Sequence, residues 1–292
     1  MRIDGRFVRT ISAIVLSLLL SPLAFAATLR VNGSTTVNAV ATEAAEVLRA
    51  EKKMAITVDT QGGSSGGISG VADHSIELGM SSKPISDDDR KKFSGVNFVS
   101  TMVGQDAVAL VVSKDVWEGG VKSLSRQQAR DIYEGKITNW KQVGGPDRRI
   151  VFFNKEPGRG TWEVFAHWLY GDPKKAPATS HREVGGNEEG RTKVASTKGA
   201  ITQLSFAWAE GDARIHALGA KLDDGRVIVP SSSTIADHSY PMSRPLLFVT
   251  DGAPKGEAKV FLDFVLSPRG QSLVKKHGYL PLPIGPGAAG AK

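Results

Sequence analysis

The sequence predicts an α/β protein in which strands alternate with helices. Short β-branched segments are each followed by a segment whose apolar residues recur at i, i+3, i+4 and i+7. Loops rich in glycine, serine and threonine join the two kinds of segment. Two apolar runs, AVALVVS (107–113) and RPLLFVT (244–250), have the composition of strands that are buried on both faces. Such alternation is typical of mostly parallel sheets flanked by helices.

The first 26 residues have the pattern of a secretory signal peptide. Three arginines and one aspartate lie in the first ten residues, and the apolar segment ISAIVLSLLLSPLAFA ends in the small-residue motif Ala24-Phe25-Ala26. The apolar segment is too short for a comfortable membrane span. We therefore expect cleavage after Ala26 and export of a mature chain of about 266 residues, a length that suits two compact lobes.

Composition excludes several classes of function. The whole chain has 37 basic and 30 acidic residues, a formal charge of +7, and removal of residues 1–26 leaves a mild positive excess that favours anionic ligands. No long run of lysine and arginine suggests nucleic acid. The sequence has no cysteine, so we expect no disulfide framework, no thiolate metal site and no lipid-anchored cysteine.

The N-terminal third of the mature chain repeats one pattern three times. A strand near Leu29–Val31 leads through GSTT into a helix with its apolar stripe at Val37–Leu48, for which Ser34 or Thr35 is the natural N-cap. A strand at 56–60 leads through GGSSGG into a short helix near 68–72. IELGM then leads into Ser81 and Ser82.

The remaining helices are predicted from capping signals. Ser86 with Asp89 and Ser125 with Gln128 read as capping pairs at two helix starts. The stretch SSSTIADHSYP reads as a polar loop, and AKVFLDFVLSPRGQSLVKKHG reads as one closing helix.

A fourth glycine-rich helix start carries an arginine. The segment NKEPGRGTWEVF follows the strand IVFF (150–153), and an amphipathic helix runs from Trp162 to a stop at Gly171. A helix N-terminus attracts anions through unpaired N–H groups and the helix dipole. Arg159 either adds a guanidinium to this site or points into water.

Hydroxyl-rich loops at the carboxyl ends of strands converge on one crevice in an α/β sheet. Together the four helix starts describe a cradle of N–H and O–H donors for an oxyanion. The residues of these loops that we predict to contact it are Ser34, Thr35, Thr36, Ser64, Ser65, Ser82, Arg159, Gly160 and Thr161.

The chain resembles the periplasmic phosphate-binding proteins of Pst-type ABC importers over nearly the whole mature length. The resemblance rests on GSTT, GGSSGG, LGMSSKPIS, YEGKITNWKQVGG, EPGRGTWEVF and VFLDFVLSPRGQSLVKKHGYLPL. It implies a two-lobe periplasmic binding protein fold (type II), with a mostly parallel sheet flanked by helices in each lobe and two crossing strands as the hinge. The expected division is residues 27–104 and 246–292 for lobe 1 and residues 105–245 for lobe 2.

The resemblance also implies function. We expect a periplasmic monomer that captures an inorganic oxyanion, phosphate above all, and delivers it to an ABC transporter permease. In the family, groups matching Thr35, Thr36, Ser64, Gly160 and Thr161 hold the anion. The family aspartate that accepts the phosphate proton falls on Ser82, which is the first of three departures.

The other two departures concern cations. The family arginine falls on Lys155, which the resemblance therefore adds to the expected anion contacts, and the family helix-start serine is replaced by Arg159. Together they suggest that the guanidinium required by the anion has moved from position 155 to position 159, so that Arg159 is the anion's main guanidinium. Glu156 could stand in for the missing aspartate.

Two other classes of protein stay open. The GGSSG segment also matches the nucleophile-elbow pattern G-x-S-x-G, so Ser64 could serve a secreted hydrolase with Asp237 and either His238 or His277. A scaffold that has kept the fold and lost the ligand is the second alternative. We predict no enzymatic activity, no cofactor and no metal, since the six histidines show no ligand spacing.

Overall fold

The computed structural model describes residues 28–283, which form thirteen strands and eleven α-helices. The strands are β1 (Leu29–Gly33), β2 (Ile56–Asp59), β3 (Leu78–Ser81), β4 (Phe98–Ser113), β5 (Ser123–Ser125), β6 (Val151–Lys155), β7 (Arg182–Val184), β8 (Ala200–Ser205), β9 (Ile215–Ala217), β10 (Gly219–Lys221), β11 (Val227–Ile228), β12 (Ser243–Asp251) and β13 (Leu280–Pro281). The helices are α1 (Asn38–Lys52), α2 (Gly63–Ala72), α3 (Asp87–Lys92), α4 (Lys114–Glu118), α5 (Arg126–Tyr133), α6 (Gly160–Tyr170), α7 (Asn187–Ser196), α8 (Phe206–Ala209), α9 (Ser232–Ala236), α10 (Gly256–Leu266) and α11 (Pro268–Lys276).

One long strand connects two halves of the main sheet. The strand order is β2-β1-β3-β12-β4-β8-β6-β7, and β9 and β13 also pair with β4. β4 pairs with β12 along residues 98–107 and with β8 along residues 108–112, so it passes from the first half into the second. Within each half the outer strands are parallel, whereas β4 and β12 run antiparallel to their neighbours. The fold is therefore mixed α/β.

Helices cover the sheet on both faces in each half, which explains the apolar runs in the sequence. In the first half, α1, α10 and α11 pack with β1 and β12 around Leu48 and Phe261, and α2 packs on the opposite side through Ile68. In the second half, α5 and α6 pack around Tyr133 and Phe165, while α7 lies in a separate apolar cluster. With both faces covered, β4 buries every residue from 106 to 113.

Several local predictions match the structure. Ser86 with Asp89 and Ser125 with Gln128 form capping boxes at the starts of α3 and α5. α6 ends where expected, because Gly171 adopts a left-handed φ of 73° at the C-cap.

Three local predictions are wrong. The stretch 231–241 contains the short helix α9, which has its own Ser231–Thr234 capping box. The closing helix is two helices, because Pro268 starts α11 after a break at Ser267, whose side chain caps the second helix. α1 has Val37 as N-cap without a side-chain hydrogen bond, so neither Ser34 nor Thr35 caps it.

The predicted signal peptide, with its cleavage after Ala26, lies outside the described residues. Within residues 28–283, no helix combines the length and the hydropathy that crossing a bilayer requires.

Candidate functional site

A small cavity lies between the two halves of the sheet, where the starts of α2 and α6 face each other. Its volume is about 10 Å³, far below the roughly 300–1,000 Å³ typical of pockets for larger organic ligands. The cavity therefore excludes organic ligands of ordinary size. It is lined by Ser34, Thr35, Thr36, Gly63, Ser64, Ser82, Lys155, Arg159, Gly160, Thr161, Gly185 and Asn187.

Nine of the ten residues predicted from the sequence line this cavity. The exception is Ser65, whose hydroxyl donates to Glu163 Oε1 at 3.3 Å and whose amide donates to the Gly158 carbonyl at 3.1 Å. Because α2 starts at Gly63, Ser64 and Ser65 both lie in the first helical turn, and helical geometry turns their side chains to different faces. Ser65 thus contacts the opposite half of the protein beside the cavity.

A larger depression elsewhere is a weaker candidate. It lies on the surface of the second half beside Tyr133 and His181. Two of its basic side chains, Arg130 and Lys136, already form ion pairs with Glu134 at 2.9 and 2.6 Å. These two side chains share one carboxylate, and the described lining of the depression belongs to the second half alone.

Glycine lets the two helix starts approach closely. A Cβ atom on Gly160 would lie 2.5 Å from Ser64 Oγ and 2.6 Å from Ser82 Oγ. The first amides of α2 and α6 have no acceptor within their own helices, although those of Gly63 and Ser65 donate to the carbonyls of Thr60 and Gly158. Two helix N-termini thus direct N–H groups and partial positive charge toward the same small space.

Hydroxyl groups form a connected cluster on the side of the first half. Ser34 Oγ donates to Ser82 Oγ at 3.0 Å and accepts from the Thr36 amide at 3.2 Å. Ser64 Oγ accepts from the Ser82 amide at 3.1 Å and lies 3.4 Å from the Ser82 hydroxyl. All four side chains are buried, so their hydrogen bonds have no competition from bulk water.

Arg244 organises this cluster, and the sequence analysis missed it. Its Nη1 donates to Ser82 Oγ at 3.2 Å and to Thr161 Oγ1 at 3.0 Å, and its Nη2 donates to Thr36 Oγ1 at 3.1 Å. Its Nε and Nη2 also donate to Asp106 Oδ2 at 3.0 and 2.7 Å. All five guanidinium donors are thereby used.

The bonds from Arg244 determine which way the hydroxyls point. A hydroxyl that accepts from a guanidinium keeps its own O–H free to donate elsewhere. Thr36 Oγ1 accepts from Arg244 and also from Asn187 Nδ2 at 3.0 Å. Thr36 and Thr161 are therefore prepared to donate to an acceptor in the cavity.

The Arg244–Asp106 pair sits at the junction of the two halves. Each side chain is only 1 % exposed, and the two residues are direct partners in the antiparallel pairing of β12 with β4. The pair is hydrogen-bonded as well as charged, which is the condition under which buried ions are tolerated. Arg244 thus brings a positive charge next to the cavity without leaving an isolated buried ion.

Arg159 lies at the cavity but bonds to a carboxylate. Its Nε and Nη2 donate to Glu156 Oε2 at 2.9 and 2.7 Å, and its Nη1 lies 3.4 Å from the Thr60 carbonyl oxygen. The side chain is 17 % exposed. Glu156, the possible substitute for the family aspartate, is therefore already paired. The role of Arg159 as the main guanidinium stays a prediction, since the five donors of Arg244 are already used and Arg244 can act on an anion only through the hydroxyls that it holds.

Lys155 is a buried amine on the cavity wall. Its Nζ donates to the carbonyl of Gly185 at 3.1 Å and to that of Gly186. Burial, with a smaller contribution from the positive charge of Arg159, lowers the pKa of Lys155 to about 7.

Asn187 and two glycines also line the cavity and were not predicted. Asn187 is the first residue of α7, and its buried Oδ1 has no hydrogen-bond partner among the described residues. The segment REVGGNEEG repeats the strand, glycine and helix pattern of the other loops. That pattern is the signal that could have identified Gly185 and Asn187. Gly63 belongs to the GGSSGG loop that the prediction did use.

The structure separates the residues proposed for a hydrolase. Ser64 bonds to Ser82, whereas His277 Nε2 lies 2.9 Å from Glu43 Oε2. Asp237 accepts from the Ser239 amide, and His238 is exposed beyond α9. No histidine is available to activate Ser64 among the described residues, so the hydrolase alternative loses its general base.

Comparison with known proteins identifies the family. A family model described as a PBP superfamily domain matches residues 23–269. The chain belongs to the PBP superfamily. Within this superfamily, the chain is 29% identical over 255 residues to the phosphate-binding protein PstS of Bacillus subtilis, which covers 87% of this chain and 80% of that protein.

Solved structures of PBP-type proteins support the same family assignment. A protein from Clostridium perfringens with bound phosphate, described as a phosphate ABC transporter substrate-binding protein, superposes with a TM-score of 0.75 at 29% identity, covering 87% of this chain and 99% of that one. An ABC-type phosphate transport receptor from Vibrio cholerae gives 0.68 at 26% identity, covering 87% and 100%. These findings confirm the predicted family resemblance and the predicted fold. The relatives are named as binding proteins, which favours binding over catalysis.

Proposed function

We propose that this protein binds inorganic phosphate in the cavity between its two halves and delivers it to an ABC importer. The observation that carries the proposal is the donor set: hydroxyls, helix-start amides and cationic side chains surround one small space between the two halves. No aspartate or glutamate is among the described lining residues. Such a site attracts an oxyanion by hydrogen bonds and by charge. The names of the relatives favour phosphate as that ion.

Capture involves closure of two lobes, with the boundaries near residues 104/105 and 245/246. Contacts that join the two halves support this: Lys83 Nζ lies 2.8 Å from Glu163 Oε2, and Asn187 donates to Thr36. A ligand that touches both lobes favours the closed state through that difference in contacts. We also propose that the chain is exported to the periplasm and cleaved after Ala26. The mature protein would act as a monomer and pass its ligand to a permease.

Titration calorimetry of the mature, ligand-free chain tests the function. We expect phosphate to bind with 1:1 stoichiometry and to raise the melting temperature, because a ligand that binds the native state stabilises it. Sulfate, arsenate and molybdate serve as comparison ions. Neither heat nor a thermal shift with any of the four would favour the scaffold alternative and contradict the proposal.

Selectivity is expected to depend on Ser82. A carboxylate at this position would accept a hydrogen bond from protonated phosphate and repel sulfate, whereas a serine hydroxyl imposes no such penalty. The unmodified protein should therefore discriminate weakly between the two ions. Ser82→Asp should increase the preference for phosphate by about tenfold or more, although Arg244, 3.2 Å from Ser82 Oγ, reduces the repulsion.

Competition titrations at about pH 6 and pH 8 measure this preference, with Ser82→Asn as the uncharged control. Strong rejection of sulfate by the unmodified protein would show that another residue provides the selectivity.

A further inference from the structure

Lys155 differs from the other cations at the cavity because no carboxylate neutralises it. Arg244 pairs with Asp106 and Arg159 pairs with Glu156. Among the described residues, no carboxylate oxygen lies within ion-pairing distance of Lys155 Nζ, although Lys155 is only 1 % exposed. A permanently charged amine at such a position would be costly without an anion nearby.

The hydrogen bonds of Lys155 fit an amine that can be neutral. A neutral amine has two N–H donors and one lone pair, whereas an ammonium group has three donors. Nζ has two acceptors among the described residues, the carbonyl oxygens of Gly185 and Gly186. The neutral form therefore satisfies both of its donors, and the lone pair remains available for a proton.

We propose that Lys155 takes up a proton from solvent when phosphate enters the cavity, so that binding itself creates the cation. This inference rests on the proposed function and specifies how the same site handles protons. The lone pair of Nζ accepts one proton from water or buffer, the amine becomes an ammonium group, and its third N–H becomes a donor for the anion. No covalent bond of phosphate changes.

The charges around Lys155 are consistent with this exchange. Burial has the largest influence on the Lys155 amine, followed by Arg159, which disfavours the ammonium form, and Glu189 on α7, which favours it. Arg244 disfavours it and Glu156 favours it by smaller amounts. A dianion in the cavity adds negative charge at short range and shifts the balance toward the ammonium form. Carboxyl and guanidinium groups ordinarily titrate far from pH 8, so Lys155 is the group expected to respond there.

The lowered pKa of Lys155, about 7, gives the direction of the pH dependence. Above pH 7 the free protein carries mainly the neutral amine, so binding the dianion consumes a proton. The affinity for the dianion should then fall as pH rises above 7, by up to about tenfold per pH unit. Near pH 6 Lys155 is already protonated, so this uptake disappears.

Calorimetry in two buffers of different protonation enthalpy, such as Tris and HEPES, counts the protons. At about pH 8, where phosphate is mostly the dianion, we expect an uptake of roughly 0.8 proton per phosphate bound.

Lys155→Arg, which is always charged, and Lys155→Met, which is never charged, should both lose the uptake. Lys155→Met should also bind roughly tenfold or more weakly at about pH 6. Lys122→Met, at an exposed lysine, is the matched control and should keep the uptake.

The outcomes separate this inference from the proposed function. Phosphate binding without proton uptake at about pH 8 would overturn the role of Lys155 and leave the proposed function standing. Uptake that persists in both Lys155 variants would assign the proton to another group and also overturn it. A complete absence of phosphate binding by the unmodified protein would overturn both proposals.

Discussion

Replacing Arg244 by alanine is expected to reduce phosphate affinity by about a hundredfold or more. The guanidinium donates to Thr36, Ser82 and Thr161, and these bonds hold the three hydroxyls so that they can donate into the cavity. Loss of one member of a buried, hydrogen-bonded charge network typically costs 2–5 kcal/mol or more in binding, roughly 30-fold to several thousand-fold in affinity. Calorimetry with phosphate measures the change.

The same substitution should also destabilise the fold. Arg244→Ala leaves the Asp106 carboxylate buried without its partner, and breaking a buried pair in this way costs about 3–5 kcal/mol. The double variant Asp106→Ala, Arg244→Ala removes the orphaned charge. It should recover part of the free energy of unfolding in urea denaturation, but it should not recover phosphate binding. This difference separates an effect on the site from an effect on folding.

Arg159→Ala is the comparison that decides between the two arginines. Because the Arg159 guanidinium is paired with Glu156, we expect its removal to weaken binding less than removal of Arg244. The reverse order would support the prediction from sequence that Arg159 is the anion's main guanidinium. A larger loss of affinity in Arg159→Ala than in Arg244→Ala would thus leave Arg244 with a structural role only.

The sequence was informative where a local pattern determines the structure. Loops of glycine and hydroxyl residues after strands identified eight of the lining residues, Arg159 among them, because the carboxyl ends of neighbouring parallel strands meet at one edge of a sheet. The ninth, Lys155, came from the family resemblance. The capping boxes at Ser86 and Ser125 were also predictable, because the two partners of each box lie within four residues of sequence.

Arg244 was missed because its role depends on a partner 138 residues away. The run RPLLFVT indicates a buried strand, and Arg244 is its first residue. Asp106 occupies the equivalent edge of AVALVVS, but the pairing of the two residues depends on the register of β12 with β4. An arginine and an aspartate at the start of two apolar runs are a signal for such a pair. The pairing of Arg159 with Glu156 also could not be predicted, because side-chain rotamers determine it.

Replacing Gly160 by alanine is expected to prevent closure around phosphate. Gly160 is the first residue of α6, and alanine favours a helix more than glycine does, so the second half should fold as before. The added methyl group would lie 2.5 Å from Ser64 Oγ and 2.6 Å from Ser82 Oγ, both in the first half. Rotating the two serine side chains would relieve these contacts only by breaking the hydrogen bonds that they make with the Ser82 amide and with Ser34. The backbone carbonyl carbon of Ser82, 3.2 Å from the added methyl group, cannot rotate away, so we expect the halves to separate slightly. Phosphate affinity should fall by about a hundredfold, since a shift of a few tenths of an ångström lengthens every hydrogen bond across the cavity.

Gly95→Ala is the matched control, because a Cβ atom there meets nothing within 4 Å. It should bind phosphate like the parent protein. Small-angle scattering should show that saturating phosphate makes the parent and Gly95→Ala more compact and leaves Gly160→Ala unchanged. The free energy of unfolding without phosphate should change little in either variant. If Gly160→Ala binds phosphate with parental affinity and becomes equally compact, close approach of the two helix starts is not needed for binding. The anion would then have to be held by groups within one half of the protein.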